Sequence, residues 1–243
     1  MTGSDGMWLA IDCSGPAGSV AVGRGGRAVT EVVLNVSGGL SAALMPAIDF
    51  AMQSAGVAPA DLGGVVVGAG PGSFTGLRVA AGTAKGIVHA LEVPLVAYSS
   101  LLVTAAPFHR GAVGVLFDAR GRNVYGACYD FGGHSVRTLT EPAAMDLEQA
   151  LSRFGEHGVS LLVGDGASRH EEEISARLSV PVVPDSFSSP RAGALLWLAE
   201  EFPDSGVVAS ATNWEPDYLR ASGAERIAAE ARTSAARSVG EAR

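Results

Sequence analysis

The stretch from Val65 to Leu91, VVVGAGPGSFTGLRVAAGTAKGIVHAL, constrains the fold more than any other part of the chain. Val65, Val66 and Val67 form a β-branched run that enters a turn at Gly70-Pro71-Gly72. Beyond the turn, apolar residues at Leu77, Ala80, Ala81, Ala84, Ile87, Val88 and Leu91 recur at helical spacing, so the unit reads as strand, tight loop and helix. Ser73 or Thr75 is placed to cap that helix, and a helix start with free amides and nearby hydroxyls suits an anion. The Gly-Lys-Ser/Thr ending of a phosphate-binding loop is missing, and so is the dinucleotide fingerprint. Inside the helix, Gly82, Gly86 and Ala90 fall four residues apart and form a smooth strip that Arg78 extends. Each interior glycine costs roughly 1 kcal/mol against alanine, a cost that a closely approaching neighbour would offset. That neighbour is either another element of this chain or a second polypeptide.

On either side of this unit the chain repeats one order of elements. Met7 to Asp12, Ser19 to Arg24 and Arg27 to Asn35 read as strands, the last two joined by a Gly25-Gly26 hairpin signal. Ser41 to Ala55 reads as a helix that Pro46 should kink or delay. After the central unit come a short strand, Pro94 to Tyr98, and a helix capped by Ser99 or Ser100. The second half has strands at Val113 to Asp118, Asn123 to Asp130 and Ser135 to Leu139, then a helix at Asp146 to His157. Leu161 to Val163 is a strand, Ser168 to Leu178 a helix, Val180 to Val183 a strand and Arg191 to Phe202 a helix. Both halves open with an apolar strand that ends in Asp, Asp12 and Asp118. The order predicts two similar α/β lobes, 7–106 and 107–220, with a cleft between them. Residues 1–6 read as a disordered lead and 221–243 as a flexible, solvated Ala/Arg/Glu tail.

Composition narrows the function. The chain has 243 residues and a formal net charge of -8, the wrong sign for a protein that grips nucleic acid by its phosphates. Two cysteines, Cys13 and Cys128, are too few for a disulfide framework. No signal peptide or membrane-spanning run is evident, and the expected location is the cytoplasm. The histidines His89, His109, His134, His157 and His170 are scattered, and none pairs with another at metal-ligand spacing. Cys13 and Ser73 are the nucleophiles in suggestive settings, but neither has a base nearby in sequence; Cys13 reads as a small buried residue. His170, beside Glu171, Glu172 and Glu173, reads as part of an exposed acidic face. Asp12-Cys13-Ser14-Gly15 would suit a phosphate loop in the first lobe, with Asp12, Ser14, Gly70, Gly72, Ser73 and Asp118 as candidate nucleotide contacts. The second loop, Asp118-Ala119-Arg120-Gly121-Arg122, carries arginines where a glycine-rich cradle is expected. Helix-capping or turn roles for Asp12 and Asp118 are the competing reading.

GPGSFTGLR at Gly70 to Arg78, with AIDCS at Ala10, SSLLVTA at Ser99, DARGRNVY at Asp118 and EPDYLR at Glu215, resembles the bacterial TsaB (YeaZ) family of tRNA threonylcarbamoyladenosine biosynthesis proteins. The resemblance runs in order over Met7 to Arg220. It implies a fold of two ribonuclease H-like lobes in the actin-like ATPase plan. It also implies a non-catalytic subunit that supports threonylcarbamoyl (t6A) transfer to tRNA with the catalytic subunit TsaD and the ATPase TsaE. The implied surface for TsaD, or for a homodimer in its absence, lies on the helices at Ser41 to Ala55 and Ser73 to Leu91. Its contact residues would be Leu44, Ile48, Phe74, Leu77, Arg78, Gly82 and Gly86. TsaD carries a His-x-x-x-His metal pair, which this chain lacks; no metal ligand and no catalytic residue is expected here. Transfer RNA would be met only through the complex. No cofactor is required of this chain, and ATP or ADP would sit in a degenerate cleft or at a partner interface. Many family members have His-Ser or His-Thr where this chain has Leu40-Ser41. The competing class is an enzyme, an actin-like small-molecule kinase or a glycoprotease-like peptidase; a nucleotide-regulated scaffold is a third.

Overall fold

In the computed structural model, which describes residues 6–36, 38–217 and 219, the valine run lies in the middle of a sheet. Strand β1 (Met7–Asp12) pairs antiparallel with β2 (Gly18–Arg24), and β2 pairs antiparallel with β3 (Arg27–Leu34). On the other side of β1, β4 (Leu62–Gly68) and β5 (Leu95–Tyr98) run parallel to it, and β10 (Val207–Ala209) closes the edge. The order of this six-stranded sheet is β10-β5-β4-β1-β2-β3. The second sheet repeats the plan. Its order is β8-β7-β6-β9, built from β6 (Ala112–Asp118), β7 (Asn123–Asp130), β8 (Arg137–Asp146) and β9 (Leu161–Val163). An antiparallel meander followed by a parallel strand on the far side of the first thus occurs twice.

Three apolar layers hold the sheets. Helices α1 (Leu40–Ala55) and α2 (Phe74–Leu91) cover one face of the first sheet over Leu9, Ile11, Val20, Val65 and Val67. Helices α3 (Ser100–Ala105) and α7 (Ala192–Glu201) lie between the sheets, where Val66 and Val96 share a core with Val113 and Val115. Helix α4 (Leu147–Glu156), short α5 (Asp165–Arg169) and α6 (Glu171–Leu178) cover the second sheet around Phe154. Alternate residues of β1 and β4 point into two different cores, which is why both strands are apolar throughout.

Several local details differ from the sequence reading. Helix α1 begins at Leu40, with Pro46 inside it; the N–H that proline lacks would have bonded only Ala42, one turn from the helix start. Strand β8 runs on through Pro142 to Asp146 as a sheet edge, where a missing ladder donor is tolerated. The helix expected from Ser168 is broken at His170 into α5 and α6. Val180 to Val183 contributes a single bridge, Leu162 to Val182. Helix α7 and β10 return to the first sheet although they follow the second in sequence. The expected tail, Tyr218 and Arg220 lie outside the described residues.

Candidate functional site

Two surfaces bring the singled-out residues together. The first is the exposed side of α2. Ser73 caps this helix, its Oγ accepting the Gly76 N–H at 3.3 Å. Leu77, Ala80, Ala81, Ala84 and Val88 are buried beneath it, whereas Gly82 and Gly86 face outward, and a Cβ built on either would meet nothing within 4 Å. Among the described residues, the smooth strip is therefore not internal packing. Arg78 is exposed, and its guanidinium lies 4.1 Å from the centroid of the half-buried Phe74 ring. Three of the expected contact residues are corrected by the same geometry. Leu44 and Ile48 of α1 are buried in the core over the first sheet, and Leu77 is 2% exposed, so none presents a side chain to a partner. An apolar helical stripe shows that a face is buried, not against which chain. The large apolar side chains α1 does expose are Met45 and Phe50, which sequence reasoning missed because they interrupt that stripe.

The second surface is a cleft of about 520 Å³ between the halves. Ser14, Gly72, Ser73 and Thr75 line one wall, and Asp118, Arg120 and Asp165 line the other. Asp12 is absent from it. Its carboxylate is fully buried: Oδ1 accepts the Ser14 N–H at 2.8 Å and the Ser14 hydroxyl at 2.7 Å, and Oδ2 accepts the Ser100 hydroxyl at 3.0 Å. Ser100 Oγ in turn accepts the Gly70 N–H at 3.1 Å. Asp12 thus ties the ends of β1 and β4 to the start of α3. A Cβ on Gly68 would land on Asp12 Oδ2, and Cβ atoms on Gly72 and Gly76 would land on the carbonyls of Ser14 and Cys13. Desolvation raises the Asp12 pKa, and the hydrogen bonds from Ser14 and Ser100 partly offset it. Gly70, at φ 96°, is buried against Leu77 and Asp217 and does not line the cleft either. The candidate nucleotide contacts therefore divide. Ser14, Gly72, Ser73 and Asp118 face the cleft, while Asp12 and Gly70 hold the structure behind it.

On the opposite wall Asp118 Oδ1 accepts the Arg120 N–H at 2.8 Å, and Oδ2 takes Arg169 at 2.7 Å. Arg120 itself stands at φ 73°, a left-handed backbone that arginine rarely adopts. Asp165 accepts the Asp118 and Gly166 N–H groups, and burial raises its pKa, as it does for Asp217 at the cleft edge. Arg122 turns away and forks onto Glu173 at 2.7 and 3.2 Å. Burial pushes the Cys13 thiol up to about 12, which removes it as a nucleophile at neutral pH. His170 is half-buried at the α6 start with Nε2 unbonded among the described residues, not part of an exposed acidic face. Among the described residues, no three His, Cys, Asp or Glu side chains lie close enough to hold a metal ion.

Comparison with known proteins decides the family. Residues 35–239 match the family model described as TsaD: tRNA N6-adenosine threonylcarbamoyltransferase. The tRNA threonylcarbamoyladenosine biosynthesis protein TsaB of Bacillus subtilis is 29% identical over 222 residues, covering 89% of this chain and 95% of that one. The chain belongs to this threonylcarbamoyladenosine family, in its TsaB (YeaZ) branch. An uncharacterized protein of Mycobacterium tuberculosis is 33% identical over 229 residues, covering 90% of this chain and 94% of that one. YeaZ from Pseudomonas aeruginosa superposes with a TM-score of 0.75 at 28% identity, covering 88% of this chain and all of that one. The two repeated sheets are accordingly the lobes of an actin-like ATPase fold. That fold implies a nucleotide in the cleft, and the residues here do not fit one. Asp12 has both oxygens engaged, and Arg120 is the one cationic side chain among the described lining residues, against Asp118, Asp165 and Asp217. Among the described residues, no helix is long and apolar enough to cross a membrane.

Proposed function

We propose that this TsaB-family chain is an accessory subunit of tRNA threonylcarbamoyladenosine synthesis and makes no bond itself. It seats a TsaD-type catalytic subunit on α2 and the neighbouring α1, works with TsaE, and in the absence of TsaD closes a homodimer through the same face. Any ATP or ADP belongs to the joint surface, and tRNA is met through the complex in the cytoplasm. The observation that carries this reading is the outward face of α2. Among the described residues, two glycines there expose a helix backbone with nothing above it, each at a cost of roughly 1 kcal/mol against alanine that a close-packed partner would offset. The acidic chain and the engaged Asp12 add support, since they leave the cleft without a phosphate cradle.

The test is reconstitution. The chain should co-purify with the TsaD-type protein of the same genome, and modified adenosine should form in tRNA when TsaD, TsaE, this chain, ATP and the threonyl precursors are combined. Omitting this chain should abolish product. Equal product without it, or product formed by it without TsaD, would refute the proposal.

A further inference from the structure

Helix α2 runs against the net charge of the chain. The chain carries a formal net charge of -8, yet Phe74–Leu91 contains no acidic residue and holds Arg78, the chain's single lysine Lys85, and His89. These three stand at i, i+7 and i+11, along one edge of the helix beside the strip of Gly82 and Gly86. Each is held or displayed differently. Arg78 is exposed but stacked on Phe74, which orients its fork of donors without using them. Lys85 is braced at 3.3 Å by Glu215, on a segment whose Trp214 packs on the core under α2 and whose Asp217 N–H bonds Ala69 at 2.8 Å. His89 is exposed one turn beyond.

The geometry points to an occupant of defined chemistry: a partner α-helix with a stripe of small or apolar side chains flanked on one edge by carboxylates. The stripe would lie over Gly82 and Gly86, where absent side chains let two helix axes approach closely. The carboxylates would meet Arg78 and His89, with Arg78 taking one bidentately. Because the basic edge sits on a chain of net charge -8, an acidic segment is attracted there while the carboxylates elsewhere on the surface repel it. An RNA backbone fits less well, because the glycine floor offers it no donors beyond the helix's own bonded backbone, and Lys85 is already paired with Glu215. This inference rests on the subunit reading above and adds the partner's chemistry to it.

The experiment measures affinity of the full chain for the TsaD-type protein of the same genome, alone and in rising salt. Wild-type affinity should fall about tenfold or more between roughly 0.1 and 0.5 M NaCl, as screening weakens the charged edge. Arg78→Glu should weaken binding at least about tenfold at low salt, flatten that salt dependence, and be rescued by a carboxylate-to-arginine change on the partner helix. Gly82→Leu should weaken binding at any salt while the circular dichroism stays that of a folded chain. Loss with Gly82→Leu but an unchanged affinity and salt slope with Arg78→Glu would overturn the acidic helix and leave the subunit reading standing. No loss with Gly82→Leu would overturn the subunit reading, and this inference with it. Effects of Arg78→Glu seen only on self-association in the ultracentrifuge, or only on tRNA retention, would overturn the stated occupant in favour of a second copy or RNA.

Discussion

Gly68 and Asp12 show how closely the ends of the first strands are fitted. With a Cβ on Gly68 coinciding with Asp12 Oδ2, Gly68→Ala must displace the carboxylate that Ser14 and Ser100 bond. We expect it to cost about 3 kcal/mol, read as a lowered urea midpoint with an unchanged slope. The opposite sign is expected on α2, where Gly82→Ala and Gly86→Ala meet nothing among the described residues and should each add about 0.5 to 1 kcal/mol to monomer stability. Asp12 also has a pH signature. Its folded pKa stands above the ordinary 3.8, so the native state holds the proton more tightly than the unfolded chain. Its contribution is therefore fully present below 3.8 and is lost as pH rises through the elevated folded value. The stability gap between wild type and Asp12→Asn should move in favour of wild type as pH is lowered from about 7 to about 4; a gap independent of pH would contradict it. In the sequence, Asp12 was visible as a strand-ending acid, but its partner Ser100 lies 88 residues away and only the fold joins them.

At the scale of elements, what the sequence disclosed is what local chemistry decides. Gly25 and Gly26 stand at φ 53° and 69°, the left-handed pair a two-residue hairpin requires. Ser73 caps α2 as its position suggested. What stayed hidden depends on distant packing. The second half ends on the first sheet because α7 is tied there: Arg191 forks onto Glu31 at 2.9 and 3.2 Å, Gly193 donates to the same carboxylate at 3.0 Å, and Ala192 donates to the Ser19 hydroxyl at 2.8 Å. No periodicity announces a bond across 160 residues. Glu31→Ala should free the start of α7, at a cost of about 1 kcal/mol, because the pair is partly exposed but also releases a backbone donor. Hydrogen exchange should quicken in residues 192 to 196 while α1 and β4 are unchanged. Uniform quickening would instead mean that the clasp matters only to global stability. The buried side of α1 was equally legible as apolar and equally mute about its neighbour; the resemblance implied a partner surface at Leu44 and Ile48, and the fold buries both over the first sheet.

The whole molecule sets the actin-like plan against its usual ligand. Two lobes enclose a cleft where relatives of that plan would hold phosphates, and the repeat of strand order in the sequence was enough to anticipate it. The cleft wall carries Asp118, Asp165 and Asp217, of which Asp118 is neutralised by Arg169, while Arg120 faces them with a strained backbone. A triphosphate brought here would meet carboxylates before it met a second cation. Magnesium would not correct this, because Asp12 would first have to give up its bonds to Ser14 and Ser100, each worth about 1 kcal/mol or more to a buried charge. Titration calorimetry of the isolated chain with ATP and magnesium should therefore give no saturable heat up to roughly millimolar nucleotide. Saturable, magnesium-dependent binding that Asp118→Asn removes would show that the second lobe alone can hold the phosphates, and would return the cleft to the set of working sites.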